Sequence, residues 1–209
     1  MSIELVKRIL SSIILLPLVF YILITGSLFL VFFIILCFIL TCYEWNKMNI
    51  NIYYKITGFI FLMFSFFTFY DLSIEISNLI FVILICVSSD IGGFVFGRLL
   101  KGPKITKISP NKTYAGVIGA YLLSLIYLSI IVNYIDNIQF SFQFIFITIL
   151  LSTISQVGDI IVSYFKRQAR IKNTGSLIPG HGGLLDRIDG MIFAVPTFYL
   201  IELIGFLNI

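Results

Sequence analysis

Residues 77–97 read Ser-Asn-Leu-Ile-Phe-Val-Ile-Leu-Ile-Cys-Val-Ser-Ser-Asp-Ile-Gly-Gly-Phe-Val-Phe-Gly, an apolar run whose only charge is Asp90. About 20 such residues span the roughly 30 Å of hydrocarbon in a bilayer. Six similar runs accompany it, at about 9–25, 27–43, 56–71, 114–134, 142–160 and 190–207. The chain of 209 residues is 59% hydrophobic and 11% charged, with a mean hydropathy of +1.08. No soluble domain of that size has so much apolar surface to hide. The expected fold is therefore an all-α polytopic integral membrane protein with about seven transmembrane helices.

Charge placement orients them. With the amino terminus cytoplasmic, seven spans put residues 44–55, 98–113 and 161–189 on the inner side. All 14 Lys and Arg then fall there, from Lys7 and Arg8 to Arg187, while the outer loops hold Asp71, Glu75 and Asp136. That is the asymmetry of the positive-inside rule, and it places the carboxyl terminus on the opposite face. Lys7-Arg8 before an apolar run imitates a signal peptide, but no small-residue cleavage site follows, so the first helix is read as uncleaved. The +4 net charge is explained by orientation and by anionic lipid headgroups, with no nucleic acid required. Cys37, Cys42 and Cys86 sit in apolar helices without metal spacing and read as packing residues. One histidine argues against structural zinc. Two parts are expected: amino-terminal transmembrane helices over 1–76, and a catalytic membrane domain over 77–209.

Acids and cations inside such a chain need a reason. From Asp159, offsets of four, seven, eight and eleven reach Ser163, Lys166, Arg167 and Arg170, one stripe on a helix of 3.6-residue period, although Arg170 taken alone reads better as a snorkelling helix end. The sixth span is therefore expected to continue past the membrane. Next comes Lys172-Asn-Thr-Gly-Ser-Leu-Ile-Pro-Gly180-His181-Gly182-Gly183-Leu-Leu-Asp186-Arg187-Ile-Asp189. Its glycines let backbone amides approach a phosphate closely. Asp186 and Asp189, three apart at a helix start, point the same way, and helix capping is an equal alternative for Asp189 taken alone. Together with Asp159 they look like a Mg²⁺ site of oxygen ligands. In the loop after span four, Ser109-Pro110 reads as the cap and first residue of span five, and Lys112-Thr113 follows. Gly93 and Gly97 form a small-xxx-small pair for close helix contact.

Ser163-x-x-Lys166-Arg167 followed by Pro179-Gly-His-Gly-Gly-x-x-Asp186-Arg-x-Asp189 resembles the signature of the phosphatidate cytidylyltransferases, also called CDP-diacylglycerol synthases. The segment from Asp90 through Gly97-Arg98 to Ser109-Pro-x-Lys112-Thr113 is similar to that family's second block. The likeness covers about residues 85–190. It departs at Lys172-Asn173, where the family commonly has Lys-Asp, and in having fewer amino-terminal spans than many members.

The resemblance implies a reaction in which CTP and phosphatidate give CDP-diacylglycerol and diphosphate, with Mg²⁺ and room for a second cation. It implies metal binding by Asp159 and Asp186, with Asp189 a third ligand or its partner. Catalytic work would fall to these acids with Lys166, Arg167 and His181. Substrate phosphates would meet Ser163, Lys172, Arg187, Gly180, Gly182, Gly183, Ser109, Lys112 and Thr113, with Asp90 orienting a cation. Partners would be membrane lipids and, by family, a second copy in a homodimer. Frequent Ile, Asn, Lys and Phe with little Ala point to an AT-rich bacterial genome, which would make an inner membrane the expected location. Other readings are a CTP-dependent polyprenol kinase or CDP-archaeol synthase, which differ in product, and an ion or phosphate transporter. The last fits poorly, since the acids lie near one face and trace no path across.

Overall fold

The computed structural model describes residues 17–19, 21–23, 25–106, 108–110, 112–134, 142–178, 180 and 182–206. Its helices are α1 (Ser27–Lys47), α2 (Ile52–Leu72), α3 (Ile76–Leu100), α4 (Tyr114–Tyr134), α5 (Phe142–Gln168), α6 (Leu185–Ile188) and α7 (Met191–Leu203). Among the described residues only two isolated bridges, Lys104 with Thr113 and Ile178 with Gly182, are of β type. Five helices are long and apolar enough to cross a membrane, and they coincide with the expected spans from 27–43 to 142–160. Most of the expected span 9–25 lies outside the described residues. The last span appears as a shorter helix of 13 residues with Pro196 inside, and it stops where Gly205 takes a φ of 71°.

The sequence explains where the helices begin and end. Asn51 caps α2, its side chain accepting the Tyr53 N–H at 3.1 Å. The cap of α4 is Thr113, whose hydroxyl oxygen accepts the Gly116 N–H at 3.1 Å. Ser109, expected in that role, lies a turn earlier, where its carbonyl accepts the Lys112 N–H. A threonine one residue before the helix can reach the third helical N–H; a serine five residues away cannot. At 27 residues, α5 is about 40 Å long, beyond the thickness of hydrocarbon. Its end is a Schellman turn: the Ile171 N–H donates to the Lys166 carbonyl at 2.9 Å, with Arg170 at a φ of 56°.

The chain forms two compact units. In the first, Met1–Leu79 with Tyr164–Asp189, α1 packs on α2 through Phe38 and Phe66, centroids 5.4 Å apart. Trp45 lies where Gly58 has no side chain, since a Cβ there would overlap the indole. Its Nε1–H donates to the Lys55 carbonyl at 3.2 Å. Phe165, near the end of α5, sets its ring against Trp45 at 5.2 Å and Tyr54 at 5.5 Å. These aromatic contacts fix the carboxyl-terminal end of α5 in its unit and so aim Lys166, its neighbour.

In the second unit, Ile80–Ser163 with Gly190–Ile209, the core is built from Val82, Ile85, Ala120, Leu128, Ile147, Leu151, Val195 and Phe198, all buried. Ser89 and Ser152 share a buried hydrogen bond of 2.9 Å. Helices α3 and α4 meet through glycines. The expected Gly93–Gly97 pair packs on Gly116, where a Cβ would stand 2.8 Å from the Gly93 carbonyl oxygen and 3.5 Å from the Gly97 Cα, and the closest approach of all is Gly92 against the Gly119 carbonyl. A Cβ on Gly92 would stand 2.9 Å from the Ala120 Cα, whereas one on Gly93 would meet nothing nearer than 3.8 Å. Gly92→Ala should therefore destabilise the protein by about 1–3 kcal/mol through overpacking. Gly93→Ala should be neutral or gain a few tenths of a kcal/mol. Thermal unfolding of the two variants in detergent separates them, and equal midpoints would refute the contact.

Candidate functional site

The first unit holds a cluster around Lys166. This residue is on α5, and only 6% of it is exposed. Its ammonium donates to Asp186 Oδ1 at 2.8 Å and stands 3.6 Å from Asp189 Oδ2. The second distance is Coulombic contact without a hydrogen bond. Asp186 lies in α6, and Asp189 follows it with φ −57° and ψ −33°. Right-handed helical backbone thus turns both carboxylates to one side, as their spacing predicts.

The loop between α5 and α6 wraps the other oxygen of Asp186. Oδ2 accepts the Thr174 N–H at 2.8 Å, the Gly183 N–H at 3.0 Å and the Thr174 hydroxyl at 3.1 Å. Gly182 has a φ of 92°, and a Cβ there would lie 2.9 Å from that oxygen. Both facts require glycine at 182. Gly180 also has positive φ, at 78°. Sequence spacing brings Lys166, Asp186 and Asp189 into view, but it misses Thr174 and also Glu44. The Glu44 carboxylate is buried and receives hydrogen bonds from the Thr174 hydroxyl and the Leu184 and Leu185 N–H groups. The available signal was an acid inside the apolar end of α1, beside Trp45.

Of the remaining first-unit residues, Arg167 is exposed and donates from Nη1 to the Ile171 carbonyl at 3.1 Å. Lys172 and Arg187 are exposed. His181 and Pro179 lie outside the described residues.

The second unit carries its own pair. Lys112 Nζ is 2.7 Å from Asp159 Oδ2 and donates to the Gln156 carbonyl at 2.8 Å. The Ser163 hydroxyl donates to Asp159 Oδ1 at 3.2 Å, so the i, i+4 relation along α5 is realised. Thr113 is tied up in the α4 cap and Ser109 is half-buried in the preceding turn. Asp90 is exposed on α3, where Arg98 lies over the Phe94 ring at 5.7 Å.

Each candidate metal carboxylate therefore already faces a lysine. Among the described residues no group of three His, Cys, Asp or Glu side chains is disposed to hold a metal. The donor chemistry still fits a hard cation: Asp186 Oδ1 and Asp189 Oδ2 supply oxygens, and a positive charge, that of Lys166, is held between the two carboxylates.

Residues 52–204 match the sequence model of the cytidylyltransferase family. The chain belongs to that family. Phosphatidate cytidylyltransferase of Rickettsia typhi is 37% identical over 77% of this chain and 75% of its own length. That of Rickettsia prowazekii is 39% identical with the same coverage. The corresponding protein of Staphylococcus saprophyticus is 37% identical over 59% of this chain, which spans about half of that longer relative, 48%. The cytidylyltransferase match takes in all of α2 to α7, and so Lys112, Asp159, Lys166, Asp186 and Asp189. Glu44 lies on α1, outside the 52–204 segment.

Proposed function

We propose that this chain is a phosphatidate cytidylyltransferase of a bacterial inner membrane, making CDP-diacylglycerol for phospholipid synthesis. The observation that carries this reading is its 37–39% identity to two rickettsial phosphatidate cytidylyltransferases across three quarters of both chains. The buried Lys166–Asp186–Asp189 cluster supplies the chemistry. A phosphatidate oxygen attacks the α-phosphorus of CTP. One P–O bond forms there, the bond to the bridging oxygen breaks, and diphosphate leaves with the electron pair. Substrate provides the nucleophile, so the protein's task is positioning and neutralising charge.

In this reading Lys166, Arg167, Arg187, Lys172 and Lys112 hold phosphate oxygens. Ser163, Thr113, Ser109 and the amides of Gly180, Gly182 and Gly183 complete the hydrogen bonding. His181 donates to a phosphate oxygen, and Asp90 orients a cation. Asp159 and Asp186 would hold Mg²⁺, with Asp189 a third ligand or its partner. When bound, the metal would supply charge neutralisation for the triphosphate and for the departing diphosphate. The catalytic part is 77–209, supported by the membrane helices of 1–76. Seven crossings put loops 98–113 and 161–189 in the cytoplasm, supported by the one-sided distribution of all 14 Lys and Arg. A homodimer suits the family.

The test uses detergent-solubilised protein, phosphatidate, Mg²⁺ and CTP labelled in the cytosine ring. Label should enter the organic phase with release of diphosphate, and should cease when phosphatidate is omitted or the metal is chelated. Release of CDP with unlabelled lipid would assign a kinase instead. No reaction from folded protein would overturn the proposal.

A further inference from the structure

Glu44 is a carboxylate in an unusual place. It lies on α1, 1% exposed, and among the described residues no salt bridge is recorded for it. Its charge is instead held by neutral donors: Oε1 accepts the Leu184 N–H at 2.9 Å, and Oε2 accepts the Leu185 N–H at 2.8 Å and the Thr174 hydroxyl at 2.8 Å. Two glycines make room for it. A Cβ on Gly175 would stand 2.8 Å from Oε1, and one on Gly183 would collide with both carboxylate oxygens and with Thr174. A buried acid needs such a set of donors to remain tolerable.

The donors of Glu44 adjoin those of Asp186. Thr174 gives its hydroxyl to Glu44 at 2.8 Å and its N–H to Asp186 at 2.8 Å. Gly183 gives its N–H to Asp186, and the next two residues give theirs to Glu44. The Thr174 hydroxyl has one proton and lies within 3.1 Å of Asp186 Oδ2 as well, so both carboxylates bear on one group. The backbone of residues 174 and 183–185 is thus a thin wall with an acid on either side.

We infer that Glu44 is a positioning residue for the cytidylyl transfer: it holds this wall so that Asp186 Oδ2 is saturated by its neutral donors and Oδ1 stays turned to Lys166, free to serve a cation there. The inference rests on the activity proposed above. It reaches beyond the matched segment, assigning α1 a part in the chemistry. Glutamine is the informative replacement because it keeps the shape of Glu44 but offers one acceptor oxygen. Its NH₂ must then face a backbone N–H of Leu184 or Leu185, and the wall shifts. Groups that orient a ligand from behind typically contribute 10–100-fold to activity, and Glu44→Gln should lower kcat by about that factor. KM for CTP should change little, because the phosphate-binding cations are untouched.

The experiment compares full-length wild type, Glu44→Gln and Thr174→Val in detergent, by steady-state kinetics and by amide hydrogen exchange over residues 174–189 without substrate. Reduced kcat with nearly constant KM, together with faster exchange at 183–186, is the expected result. Loss of thermal stability with kcat per folded molecule unchanged would make Glu44 structural only and overturn the inference. If Glu44→Gln does not fold, Thr174→Val decides by the same two readouts, with a smaller effect in the same direction. A wild type inactive with CTP and phosphatidate would overturn the activity instead; unchanged exchange in Glu44→Gln would then still refute the support of the wall.

Discussion

Asp186→Asn is expected to abolish cytidylyl transfer, lowering turnover by about a thousandfold or more, while the protein still folds and inserts. The hydrogen bonds show why shape survives and function does not. All the neutral donors to Asp186, the Thr174 N–H, Thr174 hydroxyl and Gly183 N–H, converge on Oδ2, and an asparagine oxygen can occupy that place. Its NH₂ then replaces Oδ1 and confronts the Lys166 ammonium, a donor against a donor at what was a 2.8 Å ion pair. Asp189 remains to face Lys166 at 3.6 Å, limiting the loss of stability to about 1–3 kcal/mol. What disappears is the negative charge that would hold a cation against the triphosphate. Lipid-soluble label from CTP, measured on protein that elutes as a single species, checks this. Activity above about a tenth of wild type, far more than removal of a transition-state donor leaves, would place Asp186 outside the reacting centre.

Much of this architecture was legible because membrane helices are written as long apolar runs. The reading of 77–97 becomes α3, and that of 114–134 becomes α4 residue for residue. The stripe begun at Asp159 depends only on helical period, and the Ser163–Asp159 hydrogen bond realises its first step; Arg170, its expected last member, falls past the end of α5 at Gln168, in left-handed backbone at a φ of 56°. Asp186 and Asp189 were legible for the same reason. Contacts closed by the tertiary fold were hidden. Glu44 and Leu185 are 141 residues apart in sequence, and no local pattern announces such a pairing. Ser109 illustrates a different limit: Ser-Pro is a strong local start signal, yet Thr113 sits at the true helix boundary. The Gly93–Gly97 motif located the right helix face, but the closest approach falls at Gly92, because the spacing of a motif leaves the axial register of the partner helix open.

Lys166→Met should have the second large effect, with a different signature. Methionine matches the length of the lysine stem but leaves Asp186 and Asp189, both buried or nearly so, without the ammonium between them. Removing one member of a buried ion pair destabilises by about 3–5 kcal/mol. Thermal unfolding in metal-free buffer should show the whole of this loss. Activity should fall by about two to three orders of magnitude, the range for removing a charge-stabilising donor. If the two carboxylates can hold a divalent cation, Mg²⁺ will return to this variant part of the lost stability, about 2.7 kcal/mol at a hundred times Kd. The wild type, where Lys166 competes for the same oxygens, should gain less. An unfolding midpoint of Lys166→Met indifferent to Mg²⁺ would remove Asp186 and Asp189 from the metal site. Adding Asp186→Asn to Lys166→Met should restore stability in metal-free buffer, because one uncompensated carboxylate is gone. It should abolish the Mg²⁺ response and leave activity at its floor. That non-additivity, a gain in stability with no gain in function, is the behaviour of three charges acting as one unit.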